Sequence, residues 1–454
     1  MTVSNAPTAS AGLRRQLGLA SATAAVAGES IAVGIFLTPA GMAKSLGSPL
    51  WMLLVWVAVG ALTLSGALCY GELAARFPRD GGIYVYLLET CGRRIAFLYG
   101  WMCLLVLDPG LTAALAVGLA SYAAYILPSS AIVVKLVAIS VIWALCLLNV
   151  MSIRISAGFL RWTTWLKLGL LGVLVVWALA FRLGAWSNFS PFIAQRPGSL
   201  PLGPALGAAM VGAFFSFGGW WDVSKIAGEV RDPGRTLPRA MILGVLIVTT
   251  TYIVVSATFL YLLPLAKVTS NETFVAQAGA VLFGPAGGIV FAAIVMICVL
   301  SSLAALIMSA PRVYYAMAQD GLFLNSVACI HPRFGTPAKA ILIQGLVASV
   351  LVFIGSFEKI IAYFIFVAVV FLVLTGAGLF IERSRHPDAQ PVFSTPWFPL
   401  PLAVFIVLMS LLLALIALHS PREALLGTAV VLAGLPVHYI FQRKLRAKSD
   451  YTAA

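Results

Sequence analysis

The feature that most constrains this chain is its succession of long, unbroken apolar runs, each close to the 17–25 residues that a helix needs to cross a bilayer. Soluble domains carry about 25% charged residues. Here 61% of the 454 residues are hydrophobic and 10% are charged, so the chain lacks the polar surface to cover itself in water. In hydrocarbon the backbone satisfies its hydrogen bonds only as helix or as closed barrel. The runs are too long, and too little alternating, for barrel strands. An all-α polytopic membrane protein follows.

Twelve runs are readable as spans. They lie near Leu17–Met42, Leu50–Ala74, Ile95–Leu127, Ala131–Met151, Phe159–Phe181, Leu206–Ile226, Ala240–Leu263, Ile289–Met317, Ala340–Ile354, Ile360–Phe380, Leu400–Leu418 and Ala424–Phe441. Ile83–Cys91 reads as a short surface helix. With the N-terminus inside, Arg14, Arg15, Arg76, Arg79, Arg93, Arg94, Arg154, Arg231, Arg235 and Arg239 share one face with most of the later arginines and lysines. The opposite loops keep only Lys44, Arg182, Arg196, Lys267, Lys359 and Arg422. By the positive-inside rule both termini are expected in the cytoplasm and the protein in the plasma (inner) membrane. The net charge of +14 is then membrane bias, not a nucleic-acid footprint. Arg14-Arg15 lead into an apolar run too long for a signal peptide.

Several chemistries find no support. The six cysteines are scattered without metal-ligand spacing, and His331, His386, His419 and His438 stand alone. No metal site and no cofactor are expected. The sequence has neither a phosphate-binding GxxxxGK[ST] loop nor the HExxH and GxSxG signatures of hydrolases, so neither ATP-driven transport nor an enzyme is expected.

Two spans carry helix-breaking residues at mid-membrane. The first contains Gly28-Glu29-Ser30-Ile31-Ala32-Val33-Gly34-Ile35, and the sixth contains Phe217-Gly218-Gly219-Trp220. Glycine weakens a helix by roughly 1 kcal/mol relative to alanine, and unwound backbone in a membrane is tolerable only where it lines a cavity. Spans one and six hold matching places in two five-helix halves, the sign of inverted repeats around a midplane site. Freed N–H groups there suit a carboxylate and freed carbonyls an ammonium, the two groups of an α-amino acid. The plainer alternative is that the glycines only permit close helix packing.

The segments GIFLTPAGMAKSLGSP (34–49), YGELAARFPRDGGIYVYL (70–87), FSFGGWWDVSKIAGEVRDPGRTLPRA (215–240), PRVYYAMAQDGLF (311–323) and HPRFGTPAKA (331–340) resemble the amino acid–polyamine–organocation transporter superfamily, in particular its L-amino-acid and cationic amino-acid transporter branch. The resemblance implies a LeuT-type fold of twelve spans, with 17–181 and 204–382 as a five-plus-five inverted repeat. Residues 396–441 would then hold the last two spans, with tails at 1–16 and 442–454. It implies a substrate site at Ser30, Ile31, Ala32, Val33, Gly34 and Ile35 with Phe217, Gly218, Gly219 and Trp220, the span-six aromatic acting as a gate. The family usually has glycine where this chain has Ala32. Lys167 aligns with a span-five lysine that in several members occupies a former sodium position and bridges spans one and eight. Heavy-chain-linked members carry a cysteine in the loop where this chain has Pro128-Ser129-Ser130, so no disulfide-linked partner is expected.

Charges inside the runs are costly. Lys167 reads as lying about 12 Å into its span, where a charge costs about 2.5–3.5 kcal/mol. It either snorkels to the interface or replaces a sodium ion at the site. Glu29, Asp108 and Asp222 should face the interior, either paired with Lys167 or Lys225 or meeting a cationic substrate head. The expectation is a sodium-independent amino-acid transporter working by alternating access, as an exchanger or a proton-coupled symporter, with a preference for cationic amino acids as the reading in which those carboxylates meet substrate. Its partners would be a small amino-acid or amine substrate and lipid. A polyamine carrier and a non-translocating amino-acid sensor are the alternatives.

Overall fold

The computed structural model describes residues 13–32, 34–265, 274–354, 357–419 and 421–440. Among them the chain is helical, with a single isolated β-bridge between Leu17 and Val230. The helices are α1 (Leu19–Ser30), α2 (Gly34–Leu46), α3 (Pro49–Arg76), α4 (Ile83–Cys91), α5 (Arg93–Met102), α6 (Asp108–Ile126), α7 (Ala131–Met151), α8 (Ile153–Ala180) and α9 (Leu202–Phe217). They continue as α10 (Pro233–Leu262), α11 (Phe274–Phe283), α12 (Gly287–Ser309), α13 (Pro311–Gln319), α14 (Ala338–Ile354), α15 (Phe357–Arg385), α16 (Leu400–His419) and α17 (Pro421–Leu432).

Among the described residues, nine helical segments are long and apolar enough to cross a membrane, and the bent pair α1–α2 makes a tenth. Two shorter apolar stretches, Ala338–Ile354 and Ala424–Ile440, fall where the ninth and twelfth spans are expected. The expected count of twelve thus rests on counting both as spans. A 17-residue helix is about 26 Å long at 1.5 Å per residue, a little short of the ~30 Å hydrocarbon core.

The side-chain pattern identifies the solvent. On α8 Trp162, Trp165, Val173 and Val176 face outward while Thr163, Thr164 and Lys167 are buried. A water-soluble helix does the opposite. Outward Leu243, Leu246 and Val254 on α10, and Leu342, Leu346 and Val350 on α14, repeat the pattern. This is a multi-pass membrane protein.

Several helix bounds shift, and two changes bear on the site. α8 begins at Ile153, six residues before the expected Phe159, so Lys167 lies midway along a 28-residue helix. Ile83–Cys91 is helical with the expected bounds, but Ile83, Tyr84, Val85, Tyr86 and Leu87 are buried, so it is an internal helix and not a surface one. Its entry is the turn Gly81-Gly82, where both residues take positive φ, a conformation that glycine adopts without the Cβ penalty.

Candidate functional site

Two interrupted helices cross at the centre of the bundle. α1 ends at Ser30, Ile31 and Ala32 are non-helical, and the chain resumes as α2 at Gly34 with a bend of 48°. Val33 lies outside the described residues. The unwound stretch is therefore shorter than the expected Ser30–Ile35, because Gly34 and Ile35 already belong to α2. α9 ends at Phe217, Gly218 to Trp221 form a turn, and a tight 3₁₀ segment runs from Asp222 to Glu229. Gly219 has φ +94°, which favours glycine at that corner. The breaks touch. A methyl group on Gly34 would lie 2.5 Å from Ser216 Oγ and 2.7 Å from Ser216 Cα, and one on Gly219 would lie 2.5 Å from Glu29 Cγ.

An unwound segment leaves carbonyls without helical partners, and such groups are costly if unsatisfied in a dry interior. Here three are claimed by side chains. Lys167 Nζ donates to Gly28 O and Ile31 O, each at 2.6 Å. Ser302 Oγ on α12 donates to Gly28 O at 2.7 Å, so α8 and α12 converge on the same two carbonyls. Lys167 is fully buried, so it does not snorkel. Tyr252 of α10 sits between the two breaks, its hydroxyl 2.7 Å from Ser30 O and 2.5 Å from Ser216 O, with Trp56 and Phe217 packed around its ring. Replacing Tyr252 with phenylalanine keeps the ring packing and strips this bridge. One buried hydrogen-bonding group is worth about 1–3 kcal/mol, so transport should fall roughly tenfold or more. Wild-type initial rates in Tyr252→Phe would remove the bridge from the transport cycle.

The other intramembrane charges are also internal. Lys225 Nζ pairs with Asp108 at 2.8 Å and with Asp222 at 3.0 Å. Asp108 opens α6 directly after a single π-helical turn, Cys103–Leu107, and such turns are common at functional sites. Tyr314 hydroxyl donates to Gln344 Oε1 at 2.5 Å and lies 3.2 Å from the Cys103 carbonyl. Glu29 is buried, and its Oε1 has no hydrogen-bond partner. Among the described residues Asp108 and Asp222 thus pair with Lys225, Lys167 forms no ion pair with a carboxylate, and Glu29 neighbours Asp222 without an ion pair of its own. Two cavities of about 50 Å³ flank the span-six turn. Glu29, Ser30, Ala32, Gly34 and Ser216 help to line one, and Asp108, Trp221 and Asp222 help to line the other. Each has room for only a few waters, so a larger solute enters only as the half-helices separate. Trp220, expected as a lining aromatic, is buried against Tyr70 and Phe405 instead.

The end of the bundle that carries Gln16 and Leu17 is latched. The N–H groups of Gln16 and Leu17 donate to Glu229 O, and Arg231 N–H donates back to Leu17 O. Arg312 Nε, wholly buried, bonds Glu229 Oε1 at 2.9 Å. Asp80, in the turn between α3 and α4, accepts the Gly228 N–H at 2.9 Å. Burial, then the neighbouring Glu229, push the Asp80 carboxyl up to about 7, against the opposing pull of the Gly228 hydrogen bond, Arg312 and Arg15. Opening the latch would hydrate Asp80 and return it toward its ordinary 3.8. The closed form therefore binds the proton more tightly, and acid favours it. Opening should become easier by up to about tenfold per pH unit between about 4 and about 7, then level off. The check is the thiol-labelling rate of a Ser224→Cys probe under Gly82, in a background lacking Cys91 and Cys329 and corrected for thiolate fraction. The slope should vanish with Asp80→Asn.

Sequence reasoning missed Tyr252, Ser302 and Tyr314. A signal existed for the second: Ser301-Ser302 is a polar pair inside the apolar run Cys298-Val299-Leu300 to Leu303-Ala304-Ala305. Tyr252 had no such mark, since tyrosine is equally at home in packing.

Interrupted helices that cross inside a multi-pass bundle, with a buried lysine on the freed backbone, are the arrangement expected of a membrane carrier. Residues 17–437 match the family model described as amino acid permease. The chain belongs to that family, and amino-acid transport is its function class. It is 29% identical over 436 residues to the serine/threonine exchanger SteT of Bacillus subtilis (strain 168), covering 95% of this chain and 98% of that one. It is 28% identical to the b(0,+)-type amino acid transporter 1 of Mus musculus, with 94% and 88% covered. It is 27% identical to the human cystine/glutamate transporter, with 94% and 85% covered.

Proposed function

We propose that this chain is a sodium-independent amino-acid carrier of the plasma membrane that works by alternating access between two faces. In this reading it has twelve spans, the first ten forming a five-plus-five inverted repeat, with both termini in the cytoplasm. The substrate carboxylate meets the N–H groups at the start of α2, where a helix has unpaired donors and a positive dipole end. Gly218 and Gly219, with Phe215 beside them, form the other wall, and Phe217 and Trp220 back it from the neighbouring packing. The observation that carries the reading is the pair of broken helices crossing at Gly34 and Ser216. Sodium independence is supported by Lys167, whose ammonium holds the Gly28 and Ile31 carbonyls that an alkali cation would otherwise need. Exchange is favoured over proton symport by analogy with the similar serine/threonine exchanger.

The test is counterflow in proteoliposomes. Liposomes preloaded with an unlabelled amino acid should accumulate labelled amino acid in sodium-free buffer, and unloaded ones should not. Uptake that needs a proton gradient would turn the assignment to symport. Ligand-dependent thermal stabilisation without any counterflow would identify a sensor instead, because binding stabilises by mass action whether or not the ligand crosses.

A further inference from the structure

The acidic groups beside the breaks are not balanced by the cations around them. Asp108, Asp222 and Glu29 come from three elements, α6, the 3₁₀ segment and α1, and all are buried. A single ammonium, Lys225, is shared between Asp108 and Asp222. Lys167 is already held by two backbone carbonyls. Glu29 lies against Gly219, with Asp222 as its neighbour, Lys225 and Asp108 close enough to act on it, and Lys167 acting from α8. Its Oε1 has no donor. A buried carboxylate with an empty acceptor is an expensive group to keep unless something supplies the missing partner.

The cavities indicate where that partner would come from. The one lined by Glu29, Ser30 and Gly34 and the one lined by Asp108 and Asp222 share Leu111, Phe215 and Gly218 as common wall. They thus adjoin, with Glu29, Ser30 and Gly34 in the first and Asp108 and Asp222 in the second, and the shared wall offers no charge. A solute with a carboxylate at one end, an aliphatic stem and an ammonium at the other fits that polarity: polar end, apolar wall, acidic end. The backbone carbonyls expected to hold a substrate ammonium, those of Gly28, Ser30 and Ile31, are already taken by Lys167, Ser302 and Tyr252.

We propose that Glu29 and Asp222 form an acidic subsite for a second, side-chain ammonium, so that this carrier prefers diamino acids to neutral amino acids of equal length. The proposal rests on the substrate site placed at the two breaks. Glu29 supplies the free acceptor. Asp222 supplies the second oxygen pair once Lys225 leans on Asp108, and the methylene stem lies along Leu111 and Phe215.

The experiment is competition against counterflow by the full-length protein in proteoliposomes, with lysine, ornithine and norleucine as competitors. In the wild type, lysine and ornithine should compete at least tenfold better than norleucine. In Glu29→Gln that preference should collapse by about thirtyfold, the scale of truncating one partner of a desolvated charge pair, and Asp222→Asn should move it in the same direction. Glu29→Asp, which restores the charge, should recover most of it. Equal competition by norleucine and lysine in the wild type overturns the proposal, and that comparison needs no variant to fold. So does a preference left unchanged in Glu29→Gln, or a loss that falls on both classes alike, which would place Glu29 on the α-ammonium. Failure of every amino acid to drive counterflow would instead sink the carrier reading on which the subsite depends.

Discussion

Replacing Lys167 with alanine should lower initial transport rates by about a hundredfold or more while leaving a helical, membrane-inserted protein. The ammonium donates to Gly28 O and Ile31 O at the end of α1, and hydrogen bonds to charged groups are worth about 1.5–3 kcal/mol each. Losing both frees two carbonyls in a dry interior and leaves Ser302 as their only side-chain donor among the bonds seen. α1 then loses its only charged tie to α8 among the described residues, at the point where the half-helix must hold its angle for the site to close, and keeps the Thr164 hydroxyl bond to Ala24 O. Lys167→Met, which keeps the apolar stem, should fail equally, separating the charge from the packing. A second readout is sodium. If the ammonium stands where an alkali cation would sit, the alanine variant should be thermally stabilised by sodium in a way that the wild type is not. Transport within threefold of wild type would take Lys167 out of the mechanism.

The parts of this site legible in the sequence were those that break a local rule. A lysine inside Trp165-Leu166-Lys167-Leu168 and a glycine pair inside a span contradict what lipid-facing helix requires, so they are visible without coordinates. The span-six interruption falls at the glycine pair as expected. The span-one interruption is narrower, since Gly34 opens α2 and serves close approach more than unwinding. What was not legible were the receptors of these rule-breakers. Tyr252 is far along the chain from both carbonyls it meets, and nothing in an apolar, threonine-flanked stretch distinguishes a bridging tyrosine from a packing one. The depth of Lys167 was misjudged because α8 extends back six residues past Phe159 through Arg154, a charge that hydropathy reads as loop. The helix continues because arginine is a good helix former, and Arg154 is exposed at the helix start. The span-six segment offers two aromatics, Phe217 and Trp220, and the ring of Trp220 is packed between Tyr70 and Phe405, a matter of tertiary orientation that no spacing encodes.

Gly34→Ala should be among the most damaging single methyl additions for transport, because the clash falls where the two broken helices cross. The new carbon would lie 2.5 Å from Ser216 Oγ and 2.7 Å from Ser216 Cα, distances that real Cβ atoms do not tolerate. A backbone atom cannot rotate away as a side-chain tip can, so α2 and α9 must separate by several tenths of an ångström or more, and the interior is too close-packed to absorb that locally. Separation costs typically 1–3 kcal/mol for overpacking alone. It also pulls apart the Thr38 and Ser216 hydroxyls now 2.8 Å apart and stretches the Tyr252 bridge between Ser30 O and Ser216 O. Transport should fall below about one hundredth of wild type, and thermal unfolding should shift downward by several degrees. Gly41→Ala in the same helix is the control. Nothing lies within 4 Å of its added carbon, and alanine is the better helix former, so activity and stability there should match or slightly exceed wild type. Comparable activity in the two variants would mean that the crossing of the broken helices is not tight during transport, and the close approach of α2 to α9 would lose its role in closing the site.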